Sequence, residues 1–239
     1  MADDFLSARV VRIVNESPIV KRYFLLFEGE ESFTYAPGQF VMLNLPIRHE
    51  FTTRSYSIAS APDGSNLIEL CVVLKEDGAG TPYLFKDIKE GSVLQVSPAQ
   101  GRFVLNETID TDVCFIATGT GVAPLRSMVK YIYDNNLPHK NLHLVFGNRT
   151  QQDILYRSEF EQLAAKHSDF HFHPVLSREE SADWKGAKGY VHPIYKQLFA
   201  DVRPATFYIC GWSNMVREAK NSLKEMGYGR KQINFELYD

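Results

Sequence analysis

Cysteine is scarce in this chain of 239 residues, which carries only Cys71, Cys114 and Cys210. The three lie far apart and each falls within an apolar run, so they form neither a disulfide framework nor the clustered spacing of a zinc or iron–sulfur site. We therefore expect reduced thiols, a cytoplasmic protein and no metal held by this chain.

Strong charge and long hydrophobic runs are also missing. The formal net charge is −3 and no block of like charges stands out, which gives no electrostatic argument for a nucleic-acid partner or a membrane surface. No run approaches the roughly 18 apolar residues of a membrane span. The first residues are acidic and no signal-peptide core follows them. The oligomeric state is unknown at this stage, because a single sequence does not locate surface patches.

The first half of the chain contains short apolar runs separated by turn residues. Regular spacing of such runs is typical of a small antiparallel barrel. We predict a six-stranded antiparallel β-barrel with one short helix at residues 82–86. The predicted strands are residues 10–14, 20–27, 39–45, 54–58, 67–73 and 92–96.

The second half alternates strands with helices, which predicts a doubly wound α/β domain with a parallel sheet. The first strand, residues 113–117, is continuously apolar, as expected for burial on both faces. Further strands are predicted at residues 142–146, 170–176, 207–210 and 233–235. We place the domain boundary between residues 108 and 109, giving domains 1–108 and 109–239.

A glycine-rich turn, Thr118-Gly119-Thr120-Gly121, stands directly between a predicted buried strand and an amphipathic helix. Glycines allow close approach of the backbone to a ligand, and a helix start offers free N–H groups to a phosphate. Pro124 occupies the place of the third glycine in the usual dinucleotide fingerprint. A tight turn without a ligand is the alternative.

Three other strand ends carry polar or small residues: Gly147-Asn148-Arg149, Ser177-Arg178-Glu179 and Cys210-Gly211-Trp212. Open α/β sheets bind ligands beyond the carboxyl ends of their strands. Four such ends in one sheet favour a binding crevice over a set of plain turns.

Seven segments together resemble the ferredoxin–NADP reductase family, a family of FAD-dependent enzymes, and they occur in the family's order across nearly the whole chain. They are Arg54-Ser55-Tyr56-Ser57-Ile58-Ala59-Ser60, Leu70-Cys71-Val72, Gly78-Ala79-Gly80-Thr81, Gly119-Thr120-Gly121-Val122-Ala123-Pro124-Leu125-Arg126-Ser127, Ser177-Arg178-Glu179, Cys210-Gly211 with Met215, and Glu236-Leu237-Tyr238.

The resemblance implies an FAD site on the barrel. Arg54 corresponds to the arginine that pairs with the FAD pyrophosphate, and Tyr56 to the ring that lies against the isoalloxazine. Ser57 corresponds to the hydroxyl near flavin N5. Arg54 and Tyr56 share one face of a strand, so both can reach one ligand. Gly80 and Thr81 resemble a second phosphate contact at the start of the short helix; a plain helix cap by Thr81 is the alternative.

The resemblance also implies a nicotinamide site. Cys210 and Gly211 correspond to the small residues that flank the reacting rings, although a cysteine ending a buried strand is usually a small hydrophobic residue. Glu236 and Tyr238 resemble the Glu-x-Tyr end of plant-type reductases, whose tyrosine stacks on the flavin. Here Asp239 follows Tyr238, so the ending departs from that pattern. A frayed tail is the alternative.

Coenzyme choice rests on four residues. Ser177, Arg178, Lys188 and Tyr190 match the positions that hold the 2′-phosphate of NADP in plant-type members, and cations with hydroxyl donors suit a phosphate. Residues 184–190 also resemble NAD-linked oxygenase reductases. NADP is favoured over NAD.

The function implied by the resemblance is hydride transfer between NADPH and FAD, with single electrons passed to or from a separate ferredoxin or flavodoxin. Rival functions are an NADH-dependent reductase component of an oxygenase system and a free-flavin reductase. A third rival is a non-catalytic flavin-bearing subunit of a larger complex, which commonly has its own cysteine cluster.

Overall fold

A computed structural model describes residues 5–47 and 50–238 of the chain, with the backbone alone at residues 50 and 51. Asp239 lies outside the described residues. The chain divides into two compact units: residues up to Leu105 together with Arg126–Asp134, and Asn106–Leu125 together with the residues from Asn135 onward. The predicted boundary at residue 108 stays a prediction.

The first unit is built on a six-stranded antiparallel sheet. Its strands are β1 (Leu6–Ser17), β2 (Val20–Phe27), β3 (Phe40–Ile47), β4 (Glu50–Ser57), β5 (Leu67–Val73) and β6 (Val93–Val96). They lie in the order β4-β3-β6-β1-β2-β5. A bridge between Ile58, just after β4, and Leu70 of β5 joins the two outer strands. The predicted six-stranded antiparallel barrel is confirmed.

Alternating burial explains why these segments form strands. In β2 the buried residues include Tyr23, Leu25 and Phe27, which point into the barrel core while their neighbours are less buried. A short helix, α1 (Gly80–Lys86), adds Leu84 to this core. It begins two residues before the predicted start.

The second unit is built on a six-stranded parallel sheet. Its strands are β7 (Asp112–Thr118), β8 (Leu142–Asn148), β9 (Phe170–Leu176), β10 (Ala187–Lys188), β11 (Ala205–Trp212) and β12 (Ile233–Tyr238). Their order is β10-β9-β8-β7-β11-β12 and every pair is parallel. The order reverses between β7 and β11, the place where open α/β sheets bind ligands. Sequence reasoning missed the two-residue β10.

Helices cover both faces of this sheet. On α3 (Arg157–Lys166), Phe160 packs on Phe170 and Phe172 of β9. The opposite face of β9 carries His171 and His173, and the other face of the sheet is packed by α4 (Val191–Leu198) and α5 (Ser213–Glu225). The predicted doubly wound architecture is confirmed.

One further helix, α2 (Val122–Asp134), follows the turn after β7. Its first four residues belong to the second unit and residues 126–134 to the first. Among residues 5–47 and 50–238, none of the helices has the length and apolar character needed to cross a membrane.

Candidate functional site

Arg54 lies across the start of α1. A Cβ added to Gly80 would be 3.2 Å from Cγ and 3.7 Å from Nε of Arg54, so the arginine side chain covers this glycine. Arg54 is exposed and its guanidinium donates a hydrogen bond of 2.8 Å to the carbonyl of Thr53. The first N–H groups of a helix have no partner within the helix. Arg54 and the start of α1 therefore offer one positive charge and several N–H donors to the same anion.

Tyr56 stands two residues further along β4 and faces the same side. Its register partner is the buried Val41, and that of Arg54 is the buried Leu43, so both side chains extend the core face of the barrel. Tyr56 packs partly buried against this core. Burial raises the pKa of Tyr56 to about 12, and the charge of Arg54 acts in the opposite direction. The ring is therefore neutral near pH 7 and can present a flat apolar face to a ligand held by Arg54.

Ser57 is the last residue of β4 and is buried. It pairs with Phe40 of β3, and the next residue, Ile58, donates its N–H to the carbonyl of Gln39 at 2.9 Å. Ala59 then donates to the carbonyl of Glu69 at 2.8 Å. The chain thus leaves one strand and joins another immediately after Ser57.

Thr81 does not cap α1. Its hydroxyl accepts a hydrogen bond from the N–H of Lys75 at 2.8 Å and donates to the carbonyl of the same residue at 3.2 Å. The residue preceding the helix is Ala79, without a side-chain cap. The alternative of a plain helix cap by Thr81 is wrong; its hydroxyl instead fixes the loop before the helix.

In the second unit, the turn after β7 is a single turn of 3₁₀ helix formed by Gly119, Thr120 and Gly121. Gly119 is exposed with a φ of +52°, a left-handed conformation that favours glycine, and a Cβ there would have open space around it. Thr120 is partly exposed beside it. The backbone of this turn is therefore accessible to a ligand.

The end of β11 packs tightly on this turn. A Cβ on Gly121 would clash with the carbonyl group of Cys210 and lie 2.5 Å from Cα of Gly211. Gly211 has a φ of +138° and leaves no room for a side chain against Thr118. The Thr118 hydroxyl accepts a hydrogen bond from the N–H of Trp212 at 3.1 Å. Both glycines are thus needed for close packing, whatever else they contact.

Cys210, Glu236 and Tyr238 meet at the adjacent strand ends. Cys210 is fully buried and is the register partner of Glu236, and Tyr238 is the partner of Trp212. Burial raises the pKa of the Cys210 thiol well above its usual value, and the charge of Glu236 raises it further. Hydrogen bonds with the Tyr238 side chain and the Gly211 backbone act the other way. The thiol is therefore neutral and unsuited to be a nucleophile.

A polar cluster forms at the end of β9. Ser177 and Arg178 donate their N–H groups to the carbonyls of Asn148 (3.0 Å) and Arg149 (2.8 Å), and both side chains are exposed. Lys188 of β10 pairs with Leu176, one residue before Ser177. Tyr190, two residues further on, is 72% exposed.

A carboxylate accompanies this cluster. Glu179 accepts hydrogen bonds from the N–H groups of Gln151 at 2.8 Å and Ser181 at 2.9 Å. These bonds, with a smaller contribution from Lys188, hold the pKa of Glu179 below its usual value. The cluster therefore combines two cations with one fixed negative charge.

Asn148 is a candidate to which sequence reasoning gave no role beyond its place at a strand end. It ends β8, is 9% exposed, and its Nδ2 is buried with no hydrogen-bond partner. A buried unpaired donor is costly, and polar groups left unpaired beside a binding crevice commonly meet a ligand. The second unit thus fits a polar ligand at the carboxyl ends of its strands.

Sequence reasoning also assigned no role to Glu69, Arg126 and Ser127. Arg126 NH1 donates to the carbonyl of Ala59 at 2.8 Å and to Glu69 Oε2 at 3.1 Å. Ser127 Oγ donates to the carbonyl of Ser60 at 2.6 Å. A glutamate in the middle of an apolar strand is the signal that could have pointed to a buried ion pair.

Comparison with known proteins places family matches on both units. Residues 7–105 match the oxidoreductase FAD-binding domain, and residues 115–221 match the oxidoreductase NAD-binding domain. Ferredoxin–NADP reductase B of Sorangium cellulosum is 34% identical over 239 residues, covering 97% of each chain.

Other relatives are longer. The glycine betaine monooxygenase reductase subunit of Chromohalobacter salexigens is 28% identical and covers 97% of this chain, which spans 64% of that protein. The crystal structure of the Amycolatopsis cytochrome P450 reductase GcoB superposes with a TM-score of 0.89 at 25% identity, covering 98% of this chain and 69% of that one.

Proposed function

The chain belongs to the ferredoxin–NADP reductase family, and we propose that it exchanges hydride between NADPH and FAD and single electrons with a separate ferredoxin or flavodoxin. It is an oxidoreductase with FAD and a nicotinamide dinucleotide as cofactors. We assign FAD to residues 1–108 and the dinucleotide to residues 109–239. A cytoplasmic location is part of the same proposal.

The observation that supports the flavin site best is Arg54 lying across Gly80. A pyrophosphate needs a cation and backbone donors at one place, and Arg54 with the start of α1 supplies both. A side chain at position 80 would occupy the space beside the guanidinium. Tyr56, on the same face, presents a neutral ring for an isoalloxazine. These residues fit FAD.

Bound FAD supplies the chemistry that converts a two-electron hydride into single electrons. The chain's own residues bind and orient. We propose that Arg54 holds the pyrophosphate, that Tyr56 supports the ring system and that Ser57 presents a hydroxyl near its reacting edge. Cys210 adds a small thiol beside the nicotinamide, and burial, with the charge of Glu236 next to it, raises the pKa of that thiol and keeps it protonated.

The polar cluster at the end of β9 supports NADPH as the preferred coenzyme. Arg178 and Lys188 provide two cations and Ser177 a hydroxyl for a 2′-phosphate. Glu179 opposes a phosphate, but its carboxylate oxygens already accept two backbone hydrogen bonds, so it faces the loop.

Replacement of Arg178 tests this preference. Arg178→Ala should lower kcat/KM for NADPH by roughly 10- to 100-fold, as expected for a lost charge-assisted hydrogen bond, and change kcat/KM for NADH little. Lys185→Ala is the matched control, because Lys185 is an exposed cation of the same loop that binds the carbonyl of Ala182. An equal loss with both coenzymes would contradict 2′-phosphate recognition.

A reductase component of an oxygenase system, using NADH, is the second candidate. It is supported by the monooxygenase reductase relatives in Chromohalobacter salexigens and Pseudomonas. Those relatives extend well beyond the length that this chain covers, and the three cysteines of this chain are buried and dispersed. We propose that in either case the one-electron centre is held outside the residues of this sequence.

One purified preparation separates the remaining candidates. Its visible spectrum reports bound FAD, and assays with NADPH and NADH then compare reduction of ferredoxin, flavodoxin, an oxygenase component and free FMN. We expect a yellow protein that reduces ferredoxin or flavodoxin fastest with NADPH. Preference for free FMN would indicate a free-flavin reductase, and tight FAD without coenzyme oxidation a non-catalytic subunit. A colourless protein that takes up no FAD would overturn the proposal.

A further inference from the structure

A buried ion network contacts the segment that follows β4, the strand that carries the proposed flavin contacts. Arg126 is 5% exposed and Glu69 is 4% exposed. Glu69 accepts hydrogen bonds from Arg126 NH1 at 3.1 Å and from Arg22 through Nε at 2.6 Å and NH2 at 3.2 Å. Arg22 also pairs with Glu16 at 3.2 Å. These contacts bring two arginines together with two glutamates.

Burying an arginine is costly unless its donors are used. Arg126 uses NH1 for the Glu69 carboxylate and for the carbonyl of Ala59, 2.8 Å away. Glu69 holds the same segment through its backbone, because its carbonyl accepts the N–H of Ala59 at 2.8 Å and its N–H donates to Ser60 Oγ at 3.0 Å. The ion pair and the backbone bonds fix one dipeptide, Ala59-Ser60.

Neighbouring hydroxyls complete the hold on this dipeptide. The carbonyl of Ser60 accepts a hydrogen bond from Ser127 Oγ at 2.6 Å and one from Tyr35 at 3.2 Å. Consecutive residues of α2, Arg126 and Ser127, therefore bind consecutive carbonyls of the segment. So many directed hydrogen bonds to one dipeptide are not expected of an ordinary surface salt bridge.

The fixed segment begins where the ladder between β3 and β4 ends. Ser57 is the last residue of β4 paired with β3; Ile58 keeps one hydrogen bond to the carbonyl of Gln39, at 2.9 Å, and bridges Leu70 of β5. A regular ladder specifies the position of a strand strongly, whereas a chain crossing between two strands depends on other contacts. Besides its own pairing with Phe40, the position of Ser57 thus depends on what holds the two residues after Ile58.

We propose that Arg126, held by Glu69, is a positioning residue of the flavin site: by fixing Ala59 it sets the orientation in which Ser57 is presented. This inference rests on the proposed function, in which Ser57 lies near the reacting edge of the flavin. In this proposal Arg126 acts through Ala59 and is not a catalytic residue. We call Arg126, Ser127 and Glu69, which together fix Ala59-Ser60, the clamp. Misplacement of a reacting group by about 1 Å lowers rates by roughly 100-fold, so loosening the clamp should have a measurable effect.

The test compares variants that loosen the clamp with one that loosens a similar arginine elsewhere. Arg126→Gln removes the charge, and Arg126→Gln with Glu69→Gln removes both charges while Arg22 and Glu16 stay balanced. Arg203→Gln is the control. Arg203, in the second unit, likewise binds carboxylates, Asp112 at 2.8 Å and Asp201 at 2.9 Å, and one carbonyl, that of Leu198 at 2.6 Å.

Two measurements test the proposal. Amide hydrogen exchange on the protein without FAD follows the N–H groups of Ile58 and Ala59. Single-turnover reduction of the FAD-loaded protein gives the limiting rate and the apparent coenzyme KM. In the clamp variants we expect those amides to exchange at least about 10-fold faster and the limiting rate to fall roughly 10- to 100-fold, with the coenzyme KM within about twofold. Arg203→Gln should leave all three unchanged.

Ser127→Ala covers the case in which the charge variants do not fold, since it removes only the bond to Ser60. It should shift both measurements in the same direction by a smaller factor. The proposal is overturned if folded clamp variants, or Ser127→Ala when these fail, match Arg203→Gln in exchange and in limiting rate. If the wild-type protein binds no FAD, the proposed function fails instead, and hydrogen exchange on the protein without FAD still tests whether Arg126 fixes Ala59.

Discussion

Replacing Gly121 by alanine should disrupt the proposed coenzyme site through a backbone collision. The new Cβ would clash with the carbonyl group of Cys210, with the carbonyl carbon at 2.6 Å and Cα of Gly211 at 2.5 Å. Carbon atoms in contact rest at roughly 3.5 Å, so the turn and the end of β11 must separate by about 1 Å. These are backbone atoms within a parallel sheet, and they do not rotate away as a flexible side chain does.

The size of the effect follows from that displacement. Overpacking of this kind costs about 1–3 kcal/mol of folding free energy, which we expect as a lower urea midpoint. The larger effect is functional, because Cys210 and the Gly119–Gly121 turn both move. A shift of about 1 Å predicts a fall of roughly 100-fold in kcat/KM for the nicotinamide coenzyme.

Gly119→Ala is the matched control. Its Cβ meets open space, and the φ of +52° makes the substitution cost only about 1–2 kcal/mol of backbone strain. Stability of the two variants should therefore be similar, while kcat/KM and coenzyme affinity by calorimetry should fall far more in Gly121→Ala. Equal kinetic losses in the two variants would refute the collision argument.

Two further predictions concern Tyr238 and His143. Tyr238 resembles the tyrosine that stacks on the flavin in plant-type reductases, and we propose that it competes there with the nicotinamide ring. Tyr238→Ser should then lower the apparent KM for coenzyme about 3- to 10-fold, the worth of one aromatic contact. Tyr238→Phe should leave KM unchanged, and an unchanged KM in Tyr238→Ser would contradict this competition. Burial, with His171 and His173 beside it, lowers the pKa of His143 to about 4. As the pH falls from about 6.5 to 4, the unfolded chain therefore binds a proton at His143 that the folded chain does not. The free energy of unfolding should fall across that window by up to about 3 kcal/mol. Urea denaturation at pH 7 and pH 4.5 should show a smaller loss in His143→Phe than in the wild type; equal losses would mean that His143 does not contribute.

Much of the fold is predictable because its strands have clear periodicity. Residues 20–27, 67–73 and 170–176 were predicted with the bounds that the structure shows. The start of β1 was placed at residue 10 rather than Leu6, because residues 6–9 become a strand through pairing with β6, which local sequence does not reveal. The two-residue β10 was missed because two residues carry no periodic signal.

The candidate site is predictable only in its parts. Motif order led to the family and to both cofactors, and these predictions are confirmed. That Arg54 covers Gly80, or that Gly121 packs on Cys210, depends on register and on which strands are neighbours. The hydrogen-bond partner of a polar side chain is harder still to predict. The Thr81 hydroxyl suits a helix cap or a phosphate equally well in sequence, and the structure gives it to the backbone of Lys75.

The clearest limit is Glu69. A carboxylate in the middle of the apolar strand Leu67–Val73 is costly to bury unless a cation meets it, so the sequence already demands a partner. It does not select one, because the chain has 26 lysines and arginines. The structure selects two, 47 and 57 positions away. One of them, Arg126, also reaches the backbone beyond Ser57. The role proposed for Arg126 is therefore a property of the folded chain, since only folding places its guanidinium group between a carboxylate and a carbonyl.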